Sequence, residues 1–183
     1  MNARNERDEW LMAQVALGQR ESLEPLVRRY AGPLAGFILR LVHDAHRSEE
    51  LFQEVFLAVW QKRRHYQFPR PFKPWLYTIA LNKCRADFRI VAKPVVELQP
   101  SSPAMPPAPE ASPVEAIIAT ETAALVAQAV QQLPPQQRTV VVLRIWEGLS
   151  YGEIAQIVGR TEATVRSNMH HALASLRRTC DRI

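Results

Sequence analysis

"LSYGEIAQIVGRTEATVRSNMHHALASLRR", residues Leu149–Arg178, is the stretch that decides how the second half of the chain folds. Ser150 with Glu153 three residues later makes a capping box, which opens a short helix by satisfying amide N–H groups that its first turn leaves unpaired. Gly159 stands where a tight turn ends that helix, and Thr161 can cap the next one. Wound at about 3.6 residues per turn, Val165, Met169, Ala172, Leu173 and Leu176 fall in one stripe, with Arg166, Ser167, His170 and Arg177 opposite. A short helix, a glycine-bearing turn and a longer helix with an apolar back and a cationic front form the helix-turn-helix arrangement, whose second helix enters the DNA major groove. A plain helical hairpin would not need Ala155 and Gly159 where two helices approach closely.

Before this motif the chain changes character. Lys93–Pro113, "KPVVELQPSSPAMPPAPEASP", has prolines at 94, 100, 103, 106, 107, 109 and 113, a density that forbids helix and sheet interior alike. Such chain is stiff and extended, at about 3.1 Å per residue. Charge changes with it: residues 1–90 carry 15 Lys/Arg against 10 Asp/Glu, 91–137 carry 1 against 4, and 138–183 carry 7 against 4. Two basic ends flank an acidic middle, so a polyanion touching both ends fits the +5 net charge. The expected organisation is all-α, with two small helical domains joined by a proline-rich linker. An N-terminal helical bundle spans 1–92, the linker 93–115 and the helix-turn-helix domain 116–183.

Within 183 residues, 47% of them apolar, both domains can build cores. No stretch approaches the roughly 20 apolar residues that span a bilayer, and "MNARNERDEW" lacks the apolar run of a signal peptide. The expectation is a cytoplasmic protein without membrane insertion. Cys84 and Cys180 lack paired-ligand spacing, so neither a metal, a cofactor nor a disulfide framework is indicated. Helix-period spacing predicts helices over Glu9–Gly18, Ser22–Val42 (bent at Gly32-Pro33), Ser48–Arg64, Pro74–Ile90, Ala116–Gln132, Pro135–Glu147, Tyr151–Val158 and Glu162–Arg178.

A second informative stretch is "QFPRPFKPWLYTIALNKCRADFR", Gln67–Arg89. Winding Pro74–Ile90 places Leu76, Ala80, Leu81, Cys84 and Phe88 on one side as a core face. Trp75, Thr78, Asn82, Arg85 and Arg89 lie on the other. The loop before it adds Phe68, Arg70, Phe72 and Lys73, stiffened by prolines. Aromatic planes for stacking, an amide for a base edge and cations for phosphates suit unpaired nucleic acid. Just upstream, "SEELFQEVFLAVWQKRR" has a core stripe of Leu51, Val55, Ala58 and Val59, while Gln53, Leu57 and Trp60 run along the opposite side. That is more apolar surface than a simple amphipathic helix needs, as for a helix half given to a protein partner.

In this order, "SEELFQEVFLAVW", "WLYTIALNKCRADFR" and "LPPQQRTVVVLRIWEGLSYGEIAQIVGRTEATVRSNMHHALASLR" resemble the extracytoplasmic-function sigma factors, the small two-domain members of the bacterial sigma superfamily. The resemblance covers almost the whole chain. It implies a non-enzymatic protein that binds core RNA polymerase and directs it to promoter DNA. Leu51, Gln53, Glu54, Leu57 and Trp60 would face polymerase. Asn82 would contact a base of the −10 element, the loop near Gln67–Lys73 would capture a flipped base, and Trp75 would hold the strands apart. In the −35-reading domain, Arg144 would grip a phosphate, and Thr164, Arg166, Ser167, His170 and His171 would face DNA. An anti-sigma factor is implied as a further partner. Asn168 and His171 stand where arginines are frequent in the family, so the −35 preference does not carry over; Glu50 stands where aspartate is common, a milder change that leaves the implied polymerase-facing assignment in place. Two other classes remain open at this point. A LuxR-type regulator would explain the C-terminal motif but gives Gln67–Arg89 no purpose. A nucleic-acid hydrolase would need a phosphate loop, metal cluster or nucleophile–base pair, none of which appears.

Overall fold

The computed structural model describes residues 7–91 and 125–180. Among them there is no strand, and the all-α expectation with two helical units holds. The proline-rich stretch and the start of the helix expected from Ala116 lie outside the described residues.

Four helices build the first unit. α1 (Asp8–Ala16) carries Asp8 and Glu9 in its first turn, where the positive end of the helix dipole favours carboxylates. α2 (Leu23–Val42) remains one helix through Pro33 and stops at His43, whose φ of 62° is left-handed. α3 (Ala45–Gln61) begins three residues before the expected Ser48, because the Asp44 side chain accepts the Arg47 backbone N–H at 2.8 Å. Ser48 instead donates its hydroxyl to the Asp44 carbonyl at 2.5 Å. After a 3-10 turn at Arg63–His65 and a short loop, α4 (Phe72–Val91) closes the bundle. Leu11, Leu26, Leu34, Phe37, Leu51, Val55, Leu76 and Leu81 are buried among these helices. Each such side chain contributes about 1.5–3 kcal/mol by leaving water. Cys84 is fully buried there, and burial first, then Asp87, pushes its thiol up to about 12, which keeps it an unreactive core residue.

The second unit comprises α5 (residues 125–131), α6 (Pro135–Val141), α7 (Tyr151–Val158) and α8 (Glu162–Cys180). α6 widens into a π turn over Val142–Trp146. The capping box of α7 is formed in both directions, and Gly159, at φ 68°, takes the left-handed position that ends it. The Thr164 N–H donates to the Thr161 hydroxyl at 3.2 Å, so Thr161 caps α8 as its type predicts. Val140, Leu143, Ile154, Ile157, Val165, Met169 and Ala172 fill the centre.

The two units touch. α4 lies along α7, and α2 meets α6 and the π turn, so α4 is covered on two sides: by α2 and α3 of its own bundle, and by α7.

Candidate nucleic-acid interface

On α8 the periodicity translates directly. Thr164, Arg166, Ser167, His170 and His171 are all exposed, and Val165, Met169 and Ala172 are buried behind them; Leu173, expected in the apolar stripe, is 41% exposed. The His170 and His171 rings meet edge to face at 5.8 Å. Arg166 pairs with Glu162 one turn earlier, its Nε 3.1 Å from Oε1. Tyr151 was not singled out by its position in the sequence, yet it organises this end of the unit. The Arg144 and Arg166 guanidinium groups lie 4.9 and 4.5 Å from its ring centroid. Arg144 also donates to the Leu149 carbonyl at 2.8 Å. One aromatic plane thus sets the position of two cations from different helices.

α4 departs from its helical wheel. Asn82 and Arg89 are exposed as expected, but Trp75 is only 8% exposed and Phe72 is fully buried. Trp75 packs edge on to Tyr66 at 5.3 Å and tilted against Phe72 at 6.0 Å. Both belong to the core rather than to a stacking surface. The physical reason is packing within the first unit, where Tyr66 from the preceding loop and Tyr30 of α2 close over this turn of α4; Tyr77 and Ile79 are buried too, while Phe88, expected in the core, is 38% exposed near the far end. Thr78 turns its hydroxyl back to the Pro74 carbonyl at 2.8 Å. Arg85 is half-buried and donates to the Val158 carbonyl at 3.5 Å; burial, then the neighbouring Arg160 and Arg89, lowers its pKa. Lys73 donates to the Glu147 carbonyl at 2.5 Å.

The loop ahead of α4 presents Phe68, 60% exposed, and Arg70, also exposed. Beneath them the buried Tyr66 donates its hydroxyl to the Arg70 carbonyl, and the Phe72 N–H donates to Glu9 Oε1 at 3.1 Å. Tyr66, Phe72 and Trp75 thus pack together at the base of the loop that exposes Phe68.

On α3, Gln53 and Leu57 are exposed, Leu57 by 57%, and Trp60 is half-buried with the Arg63 guanidinium 4.1 Å over its ring. Leu51 departs from the polymerase-facing set. It is 1% exposed and packs inward, on the side of the helix that holds Val55 and Ala58. Glu54 meets Lys83 at 2.9 Å and Arg47 at 3.3 Å; the Lys83 hydrogen bond first, with Arg47 adding to it, holds its carboxyl below the usual range. Arg47 Nε also reaches the buried Asp87 at 2.6 Å, so this charged patch fixes α3 against α4. No group of three potential metal ligands occurs among the described residues, and none of their helices is long and apolar enough to cross a membrane.

The order of the two helical units agrees with comparison to known proteins. Residues 26–90 match the family model "Sigma-70 region 2", and residues 123–176 match "Sigma-70, region 4". The RNA polymerase sigma-H factor of Pseudomonas aeruginosa is 32% identical over 91% of this chain and 90% of its own length. The ECF RNA polymerase sigma factor SigL of Mycobacterium tuberculosis is 31% identical over 86% of this chain and 88% of its own. In the solved structure of CnrH in complex with the cytosolic domain of CnrY, the matching chain is 26% identical, with a TM-score of 0.74 and 98% of each chain covered. The chain belongs to the extracytoplasmic-function sigma factors of the sigma-70 family, which direct RNA polymerase to promoters in transcription initiation.

Proposed function

We propose that residues 1–92 dock on core RNA polymerase and open and read the −10 element, that 93–115 links the units, and that 116–183 reads the −35 element. Gln53, Leu57 and Trp60, with Glu54 beside them, form the polymerase-facing row. Phe68 and Arg70 on the loop and Asn82 and Arg89 on α4 receive the unpaired strand, and Lys73 and Arg85 add phosphate contacts once freed from their carbonyls. Trp75 holds the loop from below instead of wedging the strands. Arg144, Thr164, Arg166, Ser167, His170 and His171 contact the −35 duplex. The supporting observation is the exposed polar front of α8 over its buried apolar back, on a chain that also carries Phe68 and Asn82 at a second exposed surface.

In this reading the protein acts in the cytoplasm beside polymerase, performs no catalysis of its own and needs no cofactor. It is restrained by an anti-sigma factor, a partner suggested by the neighbour CnrH, which was solved bound to the cytosolic domain of CnrY. The test is run-off transcription on fragmented genomic DNA with core polymerase, with and without this protein. Start sites sharing −10 and −35 sequences are expected. Failure to stimulate initiation, together with nanomolar duplex binding by the chain alone, would instead identify a stand-alone regulator.

A further inference from the structure

The loop that exposes Phe68 and Arg70 runs from Tyr66 to Phe72, and both of its ends are buried. One end is tied from within: the Tyr66 hydroxyl donates to the Arg70 carbonyl, and the Arg70 N–H donates to the Gln67 carbonyl at 2.8 Å. The other end is tied from outside. Phe72 opens α4, whose first amide N–H groups have no acceptor within the helix. A Ser, Thr, Asp or Asn just before the first turn ordinarily meets that need, but the residue there is Pro71, which has no side-chain oxygen. Glu9 supplies the missing acceptor from α1, its Oε1 3.1 Å from the Phe72 nitrogen across 63 positions of sequence.

α1 is itself held firmly enough to serve as an anchor. Its Leu11, Met12 and Val15 are buried, and the Tyr30 hydroxyl of α2 donates to Asp8 Oδ2 at 2.6 Å. Tyr30 also packs edge on to Phe72 at 5.4 Å, so the first turn of α1 acts on both the ring and the amide of Phe72. Burial first, then the charge of Glu9, raises the Tyr66 hydroxyl pKa, which keeps that hydroxyl a donor to Arg70. One carboxylate thus acts on both ends of the loop. Glu9 lies ahead of residues 26–90, the span that matches the region 2 family model.

We infer that Glu9 is a positioning residue for −10 reading: by capping α4 from α1 it fixes the loop that carries Phe68 and Arg70 in the shape that receives an unpaired base. The consequence for base capture rests on the proposed −10 role of the loop; the anchor does not.

Two variants separate reach from charge. Glu9→Gln keeps an oxygen at the same reach but loses the charge, whereas Glu9→Asp keeps the charge, which still suits the first turn of α1, on a shorter side chain. In the free full-length chain, hydrogen exchange of the Phe72 amide read by NMR should match the parent in Glu9→Gln and be on the order of tenfold faster in Glu9→Asp, with helix content by circular dichroism unchanged. Capture is read with holoenzyme assembled from core polymerase and each chain. The probes are a single-stranded oligodeoxynucleotide carrying the −10 segment of a start site found by run-off transcription, and the same strand made abasic where the parent is most sensitive. Loss of that base should cost the parent roughly five- to 150-fold. Glu9→Asp should bind the intact strand about five- to tenfold more weakly than the parent and the abasic strand equally well, because the base is what the loop no longer receives. Glu9→Gln should follow the parent on both strands. Parent-like exchange in Glu9→Asp, or equally fast exchange in both variants, would overturn the anchor. Equal losses on intact and abasic strands would reduce Glu9 to general packing and overturn its positioning role. A parent with no base-sensitive position would overturn the −10 reading of the loop instead, while exchange at Phe72 still decides the anchor, so the two failures remain distinct.

Discussion

α4 and α8 are both helices of the proposed DNA surface, yet they carry their candidate residues in opposite ways. α8 is covered on one side only, and each of the four residues its periodicity sends outward, Arg166, Ser167, His170 and Arg177, is exposed. α4 is covered on two sides and its first turn also packs under the loop residue Tyr66, so of the five residues its wheel sends outward, Asn82 and Arg89 are exposed, Thr78 and Arg85 are half-buried and Trp75 is in the core. A wheel divides a helix into a wet and a dry half, which describes a helix with one neighbour. With two neighbours the exposed part shrinks to a strip, and an aromatic on the supposed wet half becomes packing. Under the proposed function the consequence would be a division of labour, α8 reading with its own side chains and α4 with a few.

The sharpest way to break this contrast is Trp75→Ala. As a buried aromatic, Trp75 should cost about 3–5 kcal/mol when truncated, enough to unfold the first unit, as denaturant melting would show. Arg166→Ala on exposed α8 should change stability by no more than about 0.5 kcal/mol. If Trp75→Ala melts like the parent protein and loses only promoter opening, α4 is a reading helix of the same kind as α8.

Next in size are effects on DNA. Asn82→Ala and Arg166→Ala each remove one base or phosphate contact, about 1–3 kcal/mol or roughly five- to 150-fold. They should differ in kind. Asn82→Ala should lower permanganate reactivity of unpaired thymines and stay impaired on a template already opened by mismatches across the −10 region. Arg166→Ala should weaken docking on duplex, with the melted region little changed at saturating holoenzyme. Identical profiles for the two would remove the proposed assignment of −10 and −35 reading to separate units.

The difference between the helices also explains what could be read from the chain. Helix-turn-helix geometry rests on local grammar, Ser150 with Glu153, Gly159 and Thr161, and all of it appears in place. Ser150→Ala should accordingly cost about 1 kcal/mol in the second unit, since its hydroxyl caps the Glu153 N–H at 3.2 Å; an unchanged melting midpoint would show that the box is ornamental. The burial of Tyr77 and Glu147 has no local grammar, because each is buried by a partner 70 residues away. Leu51, by contrast, is buried as its place in the helical core stripe of α3 predicts, against the polymerase-facing role that the resemblance implied for it. The expected start of α3 at Ser48 falls one turn late because the cap is Asp44, whose side chain accepts the Arg47 N–H.

The smallest expected effect concerns the seam that gives α4 its second covering. His43, in its left-handed position at the end of α2, sits with Nε2 2.9 Å from Arg138 Nη1. A guanidinium only donates, so Nε2 must accept and the imidazole must be neutral. Burial first, then Arg138, lowers its pKa from 6.5 to about 4. The unfolded chain therefore takes up the proton first, and the folded state loses stability as pH falls from about 6.5 towards 4, being fully supported above that window. Glu147 works in the opposite direction, since burial raises its carboxyl pKa against the pull of Tyr77, Lys73 and Arg40. Comparison with His43→Asn cancels that contribution, and asparagine tolerates the left-handed backbone. Because His43 is half-exposed, solvent screens part of the effect, which places it below the others. Between pH 6.5 and 4 the parent chain should lose stability relative to His43→Asn, read as the denaturant midpoint measured at each pH. Parallel curves would mean that Arg138 and His43 merely touch, and that the seam is held by Glu147 and its partners alone.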